Sequence, residues 1–306
     1  SNDLPWRKHA NVVHARLEAK GGVDLEALRA ALSSHAGRVR LVAVSGASNV
    51  TGCINPVHEI AEICHAAGAR ILVDAAQLVA HRKIDLLPDV DPGHLDFLVF
   101  SGHKIYAPFG ICVLIGPRSF FSKGNPVQVG GGAVSYVSAD EVEWSDPPNR
   151  EEAGSPNVVG AVALAESLKL LSAVGMDAVQ HHEQELLSYC TEKVRTVPGI
   201  RFYGPVDAPG TKVGVLPFTL DGFDHSLVAT ILSAEWGIGV RNGNFCAQMF
   251  TRSLLGVSPG EEKSMRAASC DNAALPGMVR ASLGCYNDRE DVDLFADMLH
   301  RIARRE

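Results

Sequence analysis

Hydrophobic and polar positions along this chain change their rhythm several times, and each change marks an element. Residues 24–34 place leucine and alanine at helical spacing behind Asp24, a good helix N-cap. A β-like run, Leu41-Val-Ala-Val44, follows and ends in a polar turn over 45–52. Pro56 opens a second helix that Gly68 is suited to end. Two more apolar runs, Ile71-Leu-Val73 and Phe97-Leu-Val-Phe100, close on Asp74 and Ser101, and 111–115 is a further strand candidate. Short buried strands alternating with helices predict an α/β layer with a mainly parallel sheet flanked by helices.

Ser155-Pro156 begins a long Ala/Leu-rich helix reaching Gly175, with Ser155 as its expected N-cap. A second helix covers 176–197 and is broken by Pro198-Gly199. Beyond it the pattern becomes a strand over 212–220, a helix over 224–236 and a strand over 237–241. A long polar loop then leads to a strand over 278–285 and an amphipathic helix over 288–304. The expected organisation is a large α/β domain over 1–175 and a smaller α+β domain over 176–306. Because Pro5-Trp6 enters a helix-like stretch with no strand before it, the large domain reads as incomplete at its amino end.

Composition narrows the function. Hydrophobic residues at 46% and charged ones at 21% are the balance of an ordinary soluble globular chain. A net charge of −7 argues against nucleic acid, which needs a basic face. No apolar run approaches the roughly 18 residues that span a bilayer, and the opening residues lack a signal-peptide pattern. Seven cysteines (Cys53, Cys64, Cys112, Cys190, Cys246, Cys270 and Cys285) are scattered without close spacing. Such scatter is expected of reduced thiols in a cytoplasmic protein.

Candidate chemistry gathers at predicted strand ends, where ligands of open parallel sheets bind. Lys104 follows a buried strand and a Gly-containing turn, Ser101-Gly102-His103-Lys104. A lysine can condense with an aldehyde only when deprotonated, which a desolvated site promotes. Asp74 ends a neighbouring run, with Gln77 three residues on. A fixed carboxylate there can hold the ring-nitrogen proton that makes pyridoxal phosphate an effective electron sink. His181-His182-Glu-Gln-Glu185 has helical spacing but no further ligands and reads as a solvated face, so no metal set is expected. Gly130-Gly-Gly132 lacks the context of a nucleotide loop and reads as a flexible turn near the site.

Four segments carry a resemblance: Ser48-Asn49-Val50-Thr51-Gly52, Val73-Asp74-Ala-Ala-Gln77, Phe100-Ser101-Gly-His103-Lys104 and Glu152-Ala-Gly-Ser155-Pro-Asn157. In this order they resemble the class V aminotransferase superfamily, of the aspartate aminotransferase-like fold, and above all its cysteine desulfurases and selenocysteine lyases. The resemblance implies pyridoxal 5'-phosphate as cofactor, Lys104 as the Schiff-base lysine and Asp74 against the pyridine nitrogen. It further implies Gln77 at the phenolic oxygen, Ser101 and His103 at the phosphate, and Asn49 beside substrate and ring. Ser155 stands where the family usually has threonine, whose hydroxyl reaches the phosphate of a neighbouring subunit, so a homodimer with shared sites is implied. Val279-Arg280-Ala-Ser282 resembles the strand whose arginine grips the substrate carboxylate, a planar fork suited to that partner.

Arg241-Asn-Gly-Asn-Phe-Cys246-Ala is similar to the segment bearing the sulfur-accepting cysteine, with Arg241 near the site. Cys246 would accept sulfur from a small amino-acid substrate and pass it to an acceptor protein. Two departures keep other readings open. The family's paired histidines before this cysteine are here Asn244 and Phe245, and the stretch from Cys246 to Arg280, with Cys270 inside it, is longer than in close relatives. Relatives also carry phosphate-binding residues and a ring-stacking histidine ahead of the position of Ser1. The alternatives are an aminotransferase, epimerase or other lyase that does not use Cys246, and a cofactor-free binding module.

Overall fold

Three of the four apolar runs in the first half pair side by side as parallel strands. In the computed structural model, which describes residues 2–18, 20–258, 260–261, 263–264 and 276–305, they form β1 (Leu41–Ser45), β2 (Arg70–Asp74) and β3 (Phe97–Ser101). The fourth strand, β4 (Cys112–Ile115), pairs antiparallel with β3 and completes a sheet of order β1-β2-β3-β4. The helices α1 (Leu4–Arg7), α2 (Leu25–Ser34) and α3 (Val57–Ala66) precede or interleave these strands. Asp24 caps α2 as expected, accepting from the Ala27 amide at 2.9 Å. Ile60, Ala61, Ile71, Val73 and Ala75 are fully buried between α3 and the sheet, which fixes the β-strand faces.

After β4 come α4 (Arg118–Phe121) and a hairpin of β5 (Val134–Val137) and β6 (Val142–Trp144). Two long helices follow, α5 (Val158–Val174) and α6 (Met176–Arg195), separated only by Gly175 at φ +88°. The cap of α5 is Asn157, whose side chain accepts from Gly160 N at 2.9 Å; Ser155 lies two residues upstream and does not cap it. Because α5 starts at Val158, position 157 is the N-cap, and asparagine serves there as well as serine would.

A second sheet has the order β7-β8-β10-β9, antiparallel throughout. Its strands are β7 (Ile200–Phe202), β8 (Val215–Leu220), β9 (Arg241–Gly243) and β10 (Met278–Ser282), covered by α6, α7 (His225–Trp236) and a last helix, α9 (Arg289–Arg304). The short helix α8 (Gln248–Leu254) occupies the start of the expected polar loop. The strand expected over 237–241 begins only at Arg241, because Gly237 ends α7 in the left-handed conformation and turns the chain. The strand expected over 212–220 begins at Val215, since Lys212 and Val213 instead join the large sheet's loops. Phe218, Leu232 and Leu299 centre the second apolar cluster, while Val213 and Val215 pack with the first. Among the described residues no single helix is long and apolar enough to cross a membrane. The six described cysteines are free thiols, and Cys270 lies outside the described residues.

Candidate active site

Register brings the carboxyl ends of the parallel strands together. Ser45 is paired with Asp74, and Asp74 with Val99 two residues before Ser101. The chain then turns through a 3₁₀ segment, Gly102–Ile105, that carries His103 and Lys104. Gly102 is required there, because a Cβ on it would come within 2.3 Å of the Ile111 side chain. Gly102 N also donates to Ile111 O at 2.8 Å, pinning the turn to the segment leading into β4.

Lys104 borders open space. Partial desolvation nevertheless pulls its amine below the ordinary lysine range; Arg280 and Arg241 lower it further, while Asp74 and Cys246 act the other way. Residues far apart in sequence thus share one electrostatic neighbourhood. Asp74 accepts from Ala76 N at 3.1 Å through Oδ1, which leaves its second oxygen for another partner. Gln77 Nε2 lies 3.3 Å from His81 Nε2. His81 Nδ1 makes a short contact with Glu183 of α6, and Arg82 donates to the other Glu183 oxygen at 2.6 Å. Burial would raise the Glu183 carboxyl, but His81 and Arg82 outweigh it and hold the group below its usual range. Glu183 is therefore a buried anchor, not part of a solvated face. His181 and Glu185 do face solvent as expected, and His182 Nε2 donates to Asn287 O at 2.9 Å.

The opposite wall comes from the second sheet. Arg280 Nη1 donates to Asn49 O at 2.6 Å, and Asn49 Nδ2 donates to Phe245 O at the same distance. The Arg280 guanidinium lies 5.1 Å from the Phe245 ring centroid, while its Nε is buried without a partner. Burial depresses the Arg280 pKa first, and Arg241 depresses it next. Arg241 is the direct cross-strand partner of Arg280 in the β9–β10 ladder. Two like charges face to face are unfavourable unless an anion lies between or above them. That arrangement suits a carboxylate.

Phe245 and Cys246 are consecutive non-glycine residues at φ +50° and +58°, a costly conformation for bulky side chains. The turn buries Phe245 beneath Arg280 and leaves Cys246 exposed at the site. It is held by Asn49 below and by the bonds from Ala247 N and Thr251 Oγ1 to Asn244 O, at 2.8 and 3.2 Å. His103 and Ser155 are exposed and Ser101 half-buried, with no hydrogen bond from any of the three side chains among the described residues. Gly154 N donates to Gly131 O at 2.7 Å, so the glycine turn at 130–132 lies against the segment just before Ser155.

Sequence reasoning missed Phe245 as the support for Arg280 and missed the His81–Glu183–Arg82 cluster behind Gln77. The only forward signal was His81 at helical distance from Gln77. Buried Lys212, whose Nζ has no partner, gave no signal either.

The aminotransferase class-V family model matches residues 1–295. A cysteine desulfurase of Dickeya dadantii is 37% identical over 310 residues, covering 99% of this chain and 68% of that protein. A probable cysteine desulfurase of Halalkalibacterium halodurans is 34% identical over 306 residues, with 98% and 68% covered. Among solved structures, the apo cysteine desulfurase of Thermococcus onnurineus superposes with a TM-score of 0.82 at 31% identity, covering 99% of this chain and 70% of that one. The Escherichia coli cysteine desulfurase CsdA, in its S-sulfonic acid form, gives a TM-score of 0.82 at 30% identity, with 99% and 69% covered. With strand ends, lysine turn and arginine-bearing strand arranged as described, the chain belongs to the class-V aminotransferase family.

Proposed function

We propose that this protein is a pyridoxal-phosphate-dependent cysteine desulfurase, moving sulfur from L-cysteine (or selenium from selenocysteine) to Cys246 and releasing alanine. The observation that carries this reading is Cys246 itself. It is exposed on a strained turn and interacts electrostatically with Lys104 and Arg280. Its relatives named cysteine desulfurase support the same reaction.

The residues fit the cofactor. A lysine amine with lowered pKa and a carboxylate with one oxygen free of hydrogen bonds match the cofactor's aldehyde and ring nitrogen, and the buried guanidinium with its unpartnered Nε matches the substrate carboxylate. When bound, pyridoxal phosphate supplies an aldehyde for an amine and an electron-accepting ring. Lys104, neutral at lower pH than an ordinary lysine, would hold the cofactor through its amine and, once released by substrate, act as the base that carries a proton. Asp74 would keep a proton on the ring nitrogen of the bound cofactor, and Gln77, held beside His81, would hydrogen-bond a ring substituent. Ser101 and His103 would take the cofactor's phosphate. Arg280 and Arg241 orient the substrate carboxylate, with Asn49 setting the height of Arg280. The Cys246 thiolate attacks the substrate sulfur. A sulfur–sulfur bond forms, the substrate's Cβ–S bond breaks, and the electron pair left on Cβ takes up a proton.

Homodimer formation belongs to the same reading. Only Gly160, Leu164 and Leu171 of α5 are buried, whereas Val158, Val159, Val162, Leu170 and Val174 are exposed on an apolar helix next to Ser155. A second copy covering that face would bring Ser155 to the neighbouring phosphate. A sulfur-acceptor protein would then unload Cys246.

Replacing Cys246 by alanine tests the mechanism. Alanine release from L-cysteine should fall at least a hundredfold, on the order of the loss of an essential nucleophile, with cofactor absorbance unchanged. Undiminished alanine release would contradict the transfer to Cys246.

A further inference from the structure

At the end of the sheet remote from Lys104, three side chains form a cluster that the proposed reaction does not use. His65 closes α3, while His94 and Asp96 stand in the loop that enters β3. His65 Nε2 is 2.9 Å from Asp96 Oδ2, and His94 Nε2 is 4.0 Å from Asp96 Oδ1. The two imidazoles stack with centroids 4.2 Å apart and planes 21° from parallel. All three side chains are largely shielded, with 10–20% of their surface exposed.

The protonation pattern is fixed by what lies behind the rings. His65 Nδ1 faces Pro92 O at 2.7 Å, and His94 Nδ1 faces Asp91 O at 2.6 Å. A carbonyl can only accept, so both Nδ1 atoms carry hydrogen and both Nε2 atoms are presented to the carboxylate. Donation of the remote ring N–H to a carbonyl is the arrangement that orients metal-binding histidines. Asp96 Oδ2 is held by the Ile71 amide at 2.9 Å, which keeps it an acceptor. The loop is held as well: His58 Nδ1 donates to Gly93 O and Gly93 N to Asp91 Oδ1, both at 2.8 Å.

A neutral His65 would set an Nε2 lone pair against a carboxylate oxygen, so a cation must lie between them, either a proton or a metal ion. For His94 the 4.0 Å gap is too long for a hydrogen bond. A small inward movement would let one ion bond both atoms at about 2.0 Å with a bent angle between them. The separations of 2.9 and 4.0 Å also bracket the roughly 3.3 Å between neighbouring ligands of a tetrahedral ion with such bonds. The competing cation is Arg70, whose Nε is 3.8 Å from Asp96 Oδ1. It is half exposed and its guanidinium lies over Phe120, so it can yield its place without losing a buried contact.

We infer that His65, His94 and Asp96 form a binding site for one divalent transition-metal ion of the zinc type, with water completing the coordination. Two imidazoles and one carboxylate select zinc, nickel or copper over calcium and magnesium. The ion would tie the end of α3 to the loop entering β3, and its role is structural because the catalytic turn leaves the opposite end of β3.

The test is titration of the purified, chelator-treated protein with zinc chloride by calorimetry, and with cobalt chloride by visible absorbance. Expected are one ion per chain, a raised melting temperature, and a cobalt spectrum of tetrahedral type without the sulfur-to-metal charge-transfer band of a cysteine site. His94→Ala removes the bond to the loop carbonyl and the stack on His65, and should weaken zinc at least tenfold, abolishing the zinc-dependent rise in melting temperature. His65→Ala should do the same. No binding by the unaltered protein, a charge-transfer band, or affinity unchanged in a folded His94→Ala protein would each overturn the site.

Discussion

Arg280 shows how much of this site is built residue by residue. Its charge is fixed by a backbone carbonyl on one side and an aromatic ring on another, leaving Nε buried without a partner. A lysine there would keep the charge but lose the planar fork. Arg280→Lys should therefore raise KM for L-cysteine about tenfold with a smaller change in kcat, as loss of one charge-assisted bond predicts. Steady-state kinetics checks this, and an unchanged KM would remove Arg280 from substrate binding. The position of Asp74 and Ser101 at strand ends, with His103 and Lys104 in the turn after Ser101, was legible in the sequence because both strands are continuous apolar runs. Phe245 was not, since its role depends on Arg280 crossing over it from a strand distant in sequence.

Among elements, the buried strands β1, β2 and β3 announced themselves, whereas β5, β6 and β7 are too short or exposed to show a pattern. The segment from 204 to 211 was equally silent and Lys212 and Val213 were read as strand, yet this stretch joins the two sheets. Ile54 N donates to Thr211 O and Val213 N to Gly52 O, each at 2.9 Å. Lys212 lies between those bonds, 1% exposed, with its carbonyl accepting from Arg82 and its amine unpartnered. Burial lowers that amine to about 8, against 10.5 for a free lysine. In the unfolded chain the group binds its proton more tightly, so stability rises as pH rises from about 8 to 10.5. Lys212→Met should stabilise the protein at neutral pH by on the order of 1–3 kcal/mol and flatten that rise. Urea unfolding across this pH range measures both, and a loss of stability at neutral pH would show that the amine is compensated.

At the scale of the whole molecule, the two sheets meet where Arg280 of the second bonds Asn49 of the first and where Lys104 shares charge interactions with Arg280, Arg241 and Cys246. The α/β pattern made the first half legible, but nothing local marks which faces of α5 remain uncovered. If a second copy covers them, Val162→Glu should convert a dimer into single chains in sedimentation velocity; a dimer unaffected by that charge would place the interface elsewhere. The central claim is that sulfur leaves the substrate for Cys246 with the help of Lys104. Its most direct measurement is mass analysis of the Cys246 peptide after the protein has been mixed with pyridoxal phosphate and L-cysteine. The account predicts added mass of one sulfur atom on Cys246, removed by a thiol reductant and absent in Lys104→Ala. An unmodified Cys246 in protein that is turning over cysteine would contradict it.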